Sequence, residues 1–177
     1  MIAEEAHVTR GALYFHFKSK DDLANAVIEE QHRLARSDGE KALSIAGTAF
    51  EGMIRMSVGL ARQLTTELAV SAGIRLTTDG TASELSAKDP YRDWMDTIEN
   101  LATLAIEQGD FNASVNPVQV AKFIIPAYTG LQLVSDSLHD RQDLFERLRD
   151  MWELLIPALI RPERIAANVE YLALIKR

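Results

Sequence analysis

Thr9–Arg10–Gly11–Ala12–Leu13–Tyr14–Phe15–His16–Phe17–Lys18–Ser19–Lys20–Asp21–Asp22–Leu23 is the stretch on which the reading of this chain turns. Thr9 is placed to cap a short helix, its hydroxyl accepting a free backbone N–H. Gly11 and Ala12 carry almost no side chain, so the helix has a bare front that can press close to another surface. Leu13 and Phe17, four apart, form its apolar back. Arg10, Tyr14, His16, Lys18 and Lys20 are hydrogen-bond donors, and no acid interrupts them. Ser19-x-x-Asp22 then opens a following helix as a capping box. A bare front, an apolar back and cationic ends suit insertion into a DNA major groove. The competing reading is a surface helix that is merely basic.

The rest of the chain is acidic. Its 177 residues carry a net charge of −7, yet Val8 to Lys20 holds Arg10, Lys18 and Lys20 against no carboxylate. An acidic body with a basic reading head would meet DNA only through the head, with modest, steeply salt-dependent non-specific affinity. The apolar fraction, 47%, suits one or two small domains with a proper core. Only 9 Gly and 5 Pro among abundant Ala, Leu, Ile and Glu predict an all-α fold. The absence of cysteine excludes disulfide scaffolds, thiol catalysis and cysteine-ligated zinc, and fits a cytoplasmic location. No apolar run approaches the ~20 residues of a membrane span, so no membrane partner is expected.

Working outward, Leu23, Ala26, Val27, Glu30 and Leu34 step at three and four, a long helix leaving the head. Polar Ser37–Glu40, with Gly39, is expected to interrupt it, placing a boundary between residues 1–36 and 37–177. Lys41 to about Ala72 repeats apolar positions at helical spacing, and Thr77–Lys88 reads as a loop. Asp89–Pro90 signals a helix start with Asp as N-cap, and Gln108–Gly109 its end. Asn116–Pro117 starts another helix, in which Pro126 should produce a kink. Asp140 to Leu159 reads as the last long helix, with a short one over Val169–Ile175.

The wording G-A-L-Y-F-H-F-K-x-K-x-D-L resembles the tetracycline-repressor family of one-component transcriptional regulators, where it spans the recognition helix and the start of the connecting helix. The resemblance implies that Thr9, Arg10 and Gly11 approach base edges or nearby phosphates. Tyr14, His16 and Lys20 would hold the phosphate backbone. Family members carry a full first helix and most of a second ahead of this motif, whereas here only Ile2–His7 precedes it. The expectation is therefore a truncated or late-numbered chain with a partial DNA-binding domain. D-P-Y-x-x-W, V-N-P-x-x-x-A-x-F-I, Y-T-G-L-Q-L-V-S and D-L-x-x-R-L-x-x-M-W-E-L-L-I-P further resemble the γ-butyrolactone receptor branch. That branch consists of repressors released from DNA by small hormone-like lactones or related signals.

Trp94 is the candidate ligand residue singled out by that resemblance. Its indole offers a flat apolar wall and one N–H donor, suited to a ligand with an alkyl tail and a carbonyl. Read without the resemblance, a Trp on an apolar helical stripe is ordinary core, and Trp152 is read that way, on an interface helix. Thr129 and Gln132, beside Pro126, and Thr97, one turn after Trp94, are polar residues on apolar faces that could reach a cavity. Gln31 on the connecting helix would couple cavity to head. Val58, Leu60, Phe123 and Leu131 are cavity-wall candidates from helical phase.

Enzymatic signals are missing. His7, His16, His32 and His139 are dispersed without metal-ligand spacing, and neither a phosphate loop nor a G-x-S-x-G elbow is present. No enzyme activity, metal or cofactor is expected. The two helices after Asn116 have broad apolar faces that would pair between two chains as a four-helix bundle, matching a palindromic operator, or else close the monomer core. The expected protein is a homodimeric repressor released from operator DNA by a lactone-like signal. The alternatives are a lipid or polyketide carrier of the same fold and a pseudo-receptor sensing an antibiotic.

Overall fold

The computed structural model describes residues 9–78 and 84–176, excepting the side chains of Arg10, Tyr14 and residues 84–89. Among the described residues seven helices set the architecture: α1 Arg10–His16, α2 Lys20–Ser44, α3 Ala49–Thr66, α4 Leu68–Thr78, α5 Glu84–Glu107, α6 Pro117–His139 and α7 Leu144–Leu159. A short α8, Ile165–Val169, lies between two 3₁₀ turns, Pro162–Arg164 and Glu170–Leu174. Among the described residues the only β pairing is one bridge, Phe111 to Ile160.

Caps fix the helix starts. The Thr9 hydroxyl accepts from Ala12 N at 3.1 Å, and the Ser19 hydroxyl from Asp22 N at 3.0 Å. Asp22 in turn accepts from Lys18 N at 3.1 Å. Asn116 accepts from both Val118 N and Gln119 N, with Pro117 supplying the pre-set first turn. Helix α3 is the hub. Phe50, Met53, Ile54, Val58, Ala61 and Leu64 are buried around most of its circumference, because α2, α4, α5, α7 and the second 3₁₀ turn all pack against it. Phe50 anchors the lower core, edge-on to Trp152 at 5.6 Å and tilted against Phe111 at 5.8 Å.

Several boundaries differ from the sequence expectation. Ser37–Glu40 does not interrupt the connecting helix, which runs unbroken to Ser44. Gly39 is buried there, packed against Met56 and the Trp94 ring at ordinary contact distance, so it sits in a covered face of the helix and does not break it. The helix expected from Lys41 to Ala72 is three pieces, interrupted at Ile45–Thr48 and at Glu67. Residues 84–88 are helical where a loop was expected, which puts Pro90 inside α5 and not in its first turn. Glu, Leu, Ala and Lys upstream of that proline are good helix formers. The last long helix starts at Leu144, because Asp140 and Arg141 adopt left-handed conformations, φ 47° and 62°, that end α6.

Arg141 locks that turn to the body. Its guanidinium is buried, donates to the Leu64 carbonyl at 2.7 Å and to the Ser71 hydroxyl, and lies 3.3 Å from Asp136. Arg75 grips the same carboxylate with two hydrogen bonds, 2.9 and 3.0 Å. Helix α4 is thereby tied to α6 at one end, while along its length it lies against α2. Gly73 makes that approach possible, since a side chain there would collide with Gln31.

Candidate functional site

A largely apolar cavity lies between α2, α3, α5 and α6. It is walled by Met53, Met56, Leu60, Leu64, Ile98 and Ile125 among others, with the aromatic faces of Tyr91, Trp94, Tyr128 and Trp152. About 90 Å³ is open to the centres of water-sized spheres, several times what one water requires. No charged side chain lines it. Burial pushes the Tyr128 phenol far up, and burial also raises that of Tyr91, so both stay neutral donors.

Most polar atoms of the wall are already engaged. The Tyr128 hydroxyl donates to the Ser57 carbonyl at 3.0 Å. Trp152 Nε1 donates to the Ser57 hydroxyl at 3.1 Å, which itself donates to the Ile54 carbonyl at 2.7 Å. Thr129 donates to the Ile125 carbonyl at 2.9 Å. Gln132 is different: the residue is 2% exposed, and its amide oxygen is buried without a hydrogen-bond partner. An orphaned buried acceptor costs about 1–3 kcal/mol, and a bound molecule carrying a donor removes that cost.

Trp94 is joined to the connecting helix. Its ring lies edge-on to His32 of α2, centroids 5.9 Å apart and planes at 85°. Asp93, its neighbour in sequence, sits 3.0 Å from His32 Nε2 and 3.5 Å from Arg36. A displacement of the Trp94 wall therefore reaches α2 directly, and α2 begins at the head.

The sequence candidates divide on this geometry. Trp94, Thr129, Gln132 and Leu60 meet at the cavity. Thr97 does not; it faces an outer cleft with Arg36, Glu40, Asp93 and Asp96, its hydroxyl bonded to the Asp93 carbonyl at 2.8 Å. Gln31 is buried beneath Gly73 in the α2–α4 contact, away from the cavity. Val58 faces the opposite side of α3, with Asp38, Lys41 and Arg62, and Phe123 is 56% exposed on the outer face of α6. Leu131 packs on the core without reaching the cavity. Helical phase explains these misses: Val58 follows Ser57 and Phe123 precedes Ile124, and one residue turns a side chain by about 100°. Tyr91, Tyr128 and Ser57 line the cavity without having been sequence candidates, and Trp152, read there as core, lines it too. Tyr91 had a signal, lying three residues before Trp94 on one stripe.

At the head, Leu13 and Phe17 are half-buried, while Thr9, Gly11, His16, Lys18 and Lys20 are exposed. The side chains of Arg10 and Tyr14, and the segment Ile2–His7, lie outside the described residues. Among the described residues no group of acids and histidines could hold a metal, and no helix is long and apolar enough to cross a membrane.

Fold and site together define a helical protein with a short basic helix leading into a long connecting helix and a largely apolar cavity in its body. Residues 1–27 match the family of bacterial regulatory proteins of tetR type, and residues 47–161 match the tetracyclin repressor-like C-terminal domain. The chain belongs to the tetR family, whose members are regulators and not enzymes. It is 32% identical over 165 residues to the A-factor receptor protein of Streptomyces griseus, spanning 93% of this chain but only 57% of that protein. A crystal structure of a gamma-butyrolactone receptor, an ArpA-like protein, superposes with TM-score 0.85 at 29% identity, covering 98% of this chain and 83% of the other. CprB from Streptomyces coelicolor, solved with its operator sequence, gives 0.82 at 29% identity, with the same shares covered.

Proposed function

We propose that this chain is a transcriptional repressor released from operator DNA by a neutral, lactone-type signalling molecule. One observation carries the reading. The cavity holds aromatic and aliphatic walls, no charge, and an unpartnered Gln132 acceptor, and its Trp94 wall touches the connecting helix through His32. A molecule with an apolar tail and a hydroxyl fits that chemistry, whereas an ionised carboxylate would lose its hydration with no cation to replace it. Trp94, Thr129, Gln132 and Leu60 are the ligand-contacting residues in this reading. The relatives known as A-factor and gamma-butyrolactone receptors support the same ligand class.

Residues 1–36 act as the DNA-binding part, with Thr9, Arg10 and Gly11 near the bases and Tyr14, His16 and Lys20 on phosphates, and residues 37–177 as the ligand and dimerisation part. Phe123, Val134, Leu138 and Leu154 are exposed apolar residues of α6 and α7, suited to pairing with a second copy, which sets two heads on a palindromic site. A cytoplasmic location follows from that role.

The test is selection of DNA from a random pool by the purified chain, followed by titration of the complex with a synthetic γ-butyrolactone bearing an acyl chain. Enrichment of a palindrome and its release by the lactone are expected. Lactone binding without any selected sequence would instead indicate a carrier of the same fold.

A further inference from the structure

We infer that Phe15 reads a thymine methyl group in the major groove and is a specificity-determining residue of the head. The inference rests on the DNA-binding reading of α1. Phe15 is a large apolar side chain of that helix exposed to 85%. A single exposed ring means little by itself, so its direction carries the argument. At about 100° per residue, Leu13 and Phe17 define the inward face, and Phe15 points about 180° from their mean direction. Gly11 and Ala12, beside it on the outward surface, are too small to hold the helix away from a groove floor. The His16 ring packs edge-on to Phe15, centroids 5.3 Å apart at 89°, which restricts the phenyl. Exposed Lys18 and Lys20 follow at the C-terminal side, where they suit flanking phosphates. The pole of the outward face is thus apolar and the cations stand to one side. Thymine alone presents an apolar group, its C5 methyl, on the major-groove edge.

The experiment uses the full chain and the palindrome it selects from random DNA. Each thymine is replaced by deoxyuridine, symmetrically in both half-sites, and affinity is read by fluorescence anisotropy for wild type and Phe15→Ala. Loss of one buried methyl contact should weaken the wild type about four-fold per half-site at one thymine position. The Phe15→Ala protein should show no penalty at that position and keep its response at the others. Thermal melts of the two proteins should coincide, since the ring touches little else. An undiminished deoxyuridine penalty in Phe15→Ala would overturn the inference. So would a lower melting temperature with uniform weakening on all sequences, which would show the ring packing on protein. Failure of the wild type to select any sequence would remove the DNA-binding reading itself, and this inference with it.

Discussion

Replacing Gln132 by leucine should move stability and ligand affinity in opposite directions. The side chain is 2% exposed, with its amide oxygen buried and unpartnered. Leucine has nearly the same volume, so the substitution removes an unsatisfied polar group without opening a void. That penalty is about 1–3 kcal/mol, and for a chain of this size each kcal/mol corresponds to about 2–4 °C in Tm. Ligand-free Gln132→Leu should therefore melt about 2–12 °C above wild type, at fixed protein concentration because dimerisation also shifts Tm. Ligand affinity should fall, since a ligand hydroxyl would be buried against leucine unpaired. The cost of about 1–3 kcal/mol is roughly ten- to a hundred-fold in Kd. Differential scanning fluorimetry and calorimetric titration with the lactone measure both quantities on one sample. Gln132→Glu is the contrasting variant, because a carboxylate in this uncharged wall should lower Tm. A melting temperature below wild type for Gln132→Leu, together with unchanged lactone affinity, would refute the reasoning: Gln132 would then be satisfied in the free protein and irrelevant to the ligand.

Trp94→Phe keeps most of the cavity wall but removes the indole N–H, and should raise the lactone concentration needed for operator release about ten- to a hundred-fold. Release at the wild-type concentration would make Trp94 ordinary core. Asp93→Asn weakens the link to His32 and Arg36, so lactone Kd should change little while release from DNA becomes less complete; titration with and without operator separates the two. Arg141→Met loses the hydrogen bonds to Leu64 and Ser71 and should cost about 2–3 kcal/mol in urea unfolding, with no direct effect on DNA contacts. A hydrogen bond from Arg75 holds the Asp136 carboxyl below its ordinary 3.8, aided by the Arg141 charge. A depressed folded-state value means stability present above that pH and lost as pH falls toward the folded value. Thermal melts between about pH 6 and 3 should show that loss in wild type and a flatter profile in Asp136→Asn.

The sequence by itself determined the parts whose physics is local. Thr9, Ser19 and Asn116 cap helices in the structure because each needs only a backbone N–H two or three residues away. The alternation of Leu13 and Phe17 with small and basic residues needed nothing beyond helical periodicity, whereas the stripe of Trp94 alone reads as core and only the family resemblance set it apart. What depended on long-range packing was decided only by the tertiary structure. Gly39 looked like a helix breaker, yet it sits buried in an unbroken α2, covered by Met56 and Trp94 from far along the chain. Gln31 and Gln132 are both buried glutamines on amphipathic helices, indistinguishable by pattern. One is covered by Gly73 of α4, and the other lines a cavity with an unpartnered oxygen. Val58 and Leu60 differ in the same way, separated by two residues on a helix that is buried on nearly every side. A periodic sequence specifies that a face is buried, but which neighbour covers it, and where that cover leaves a void, depends on how four helices meet.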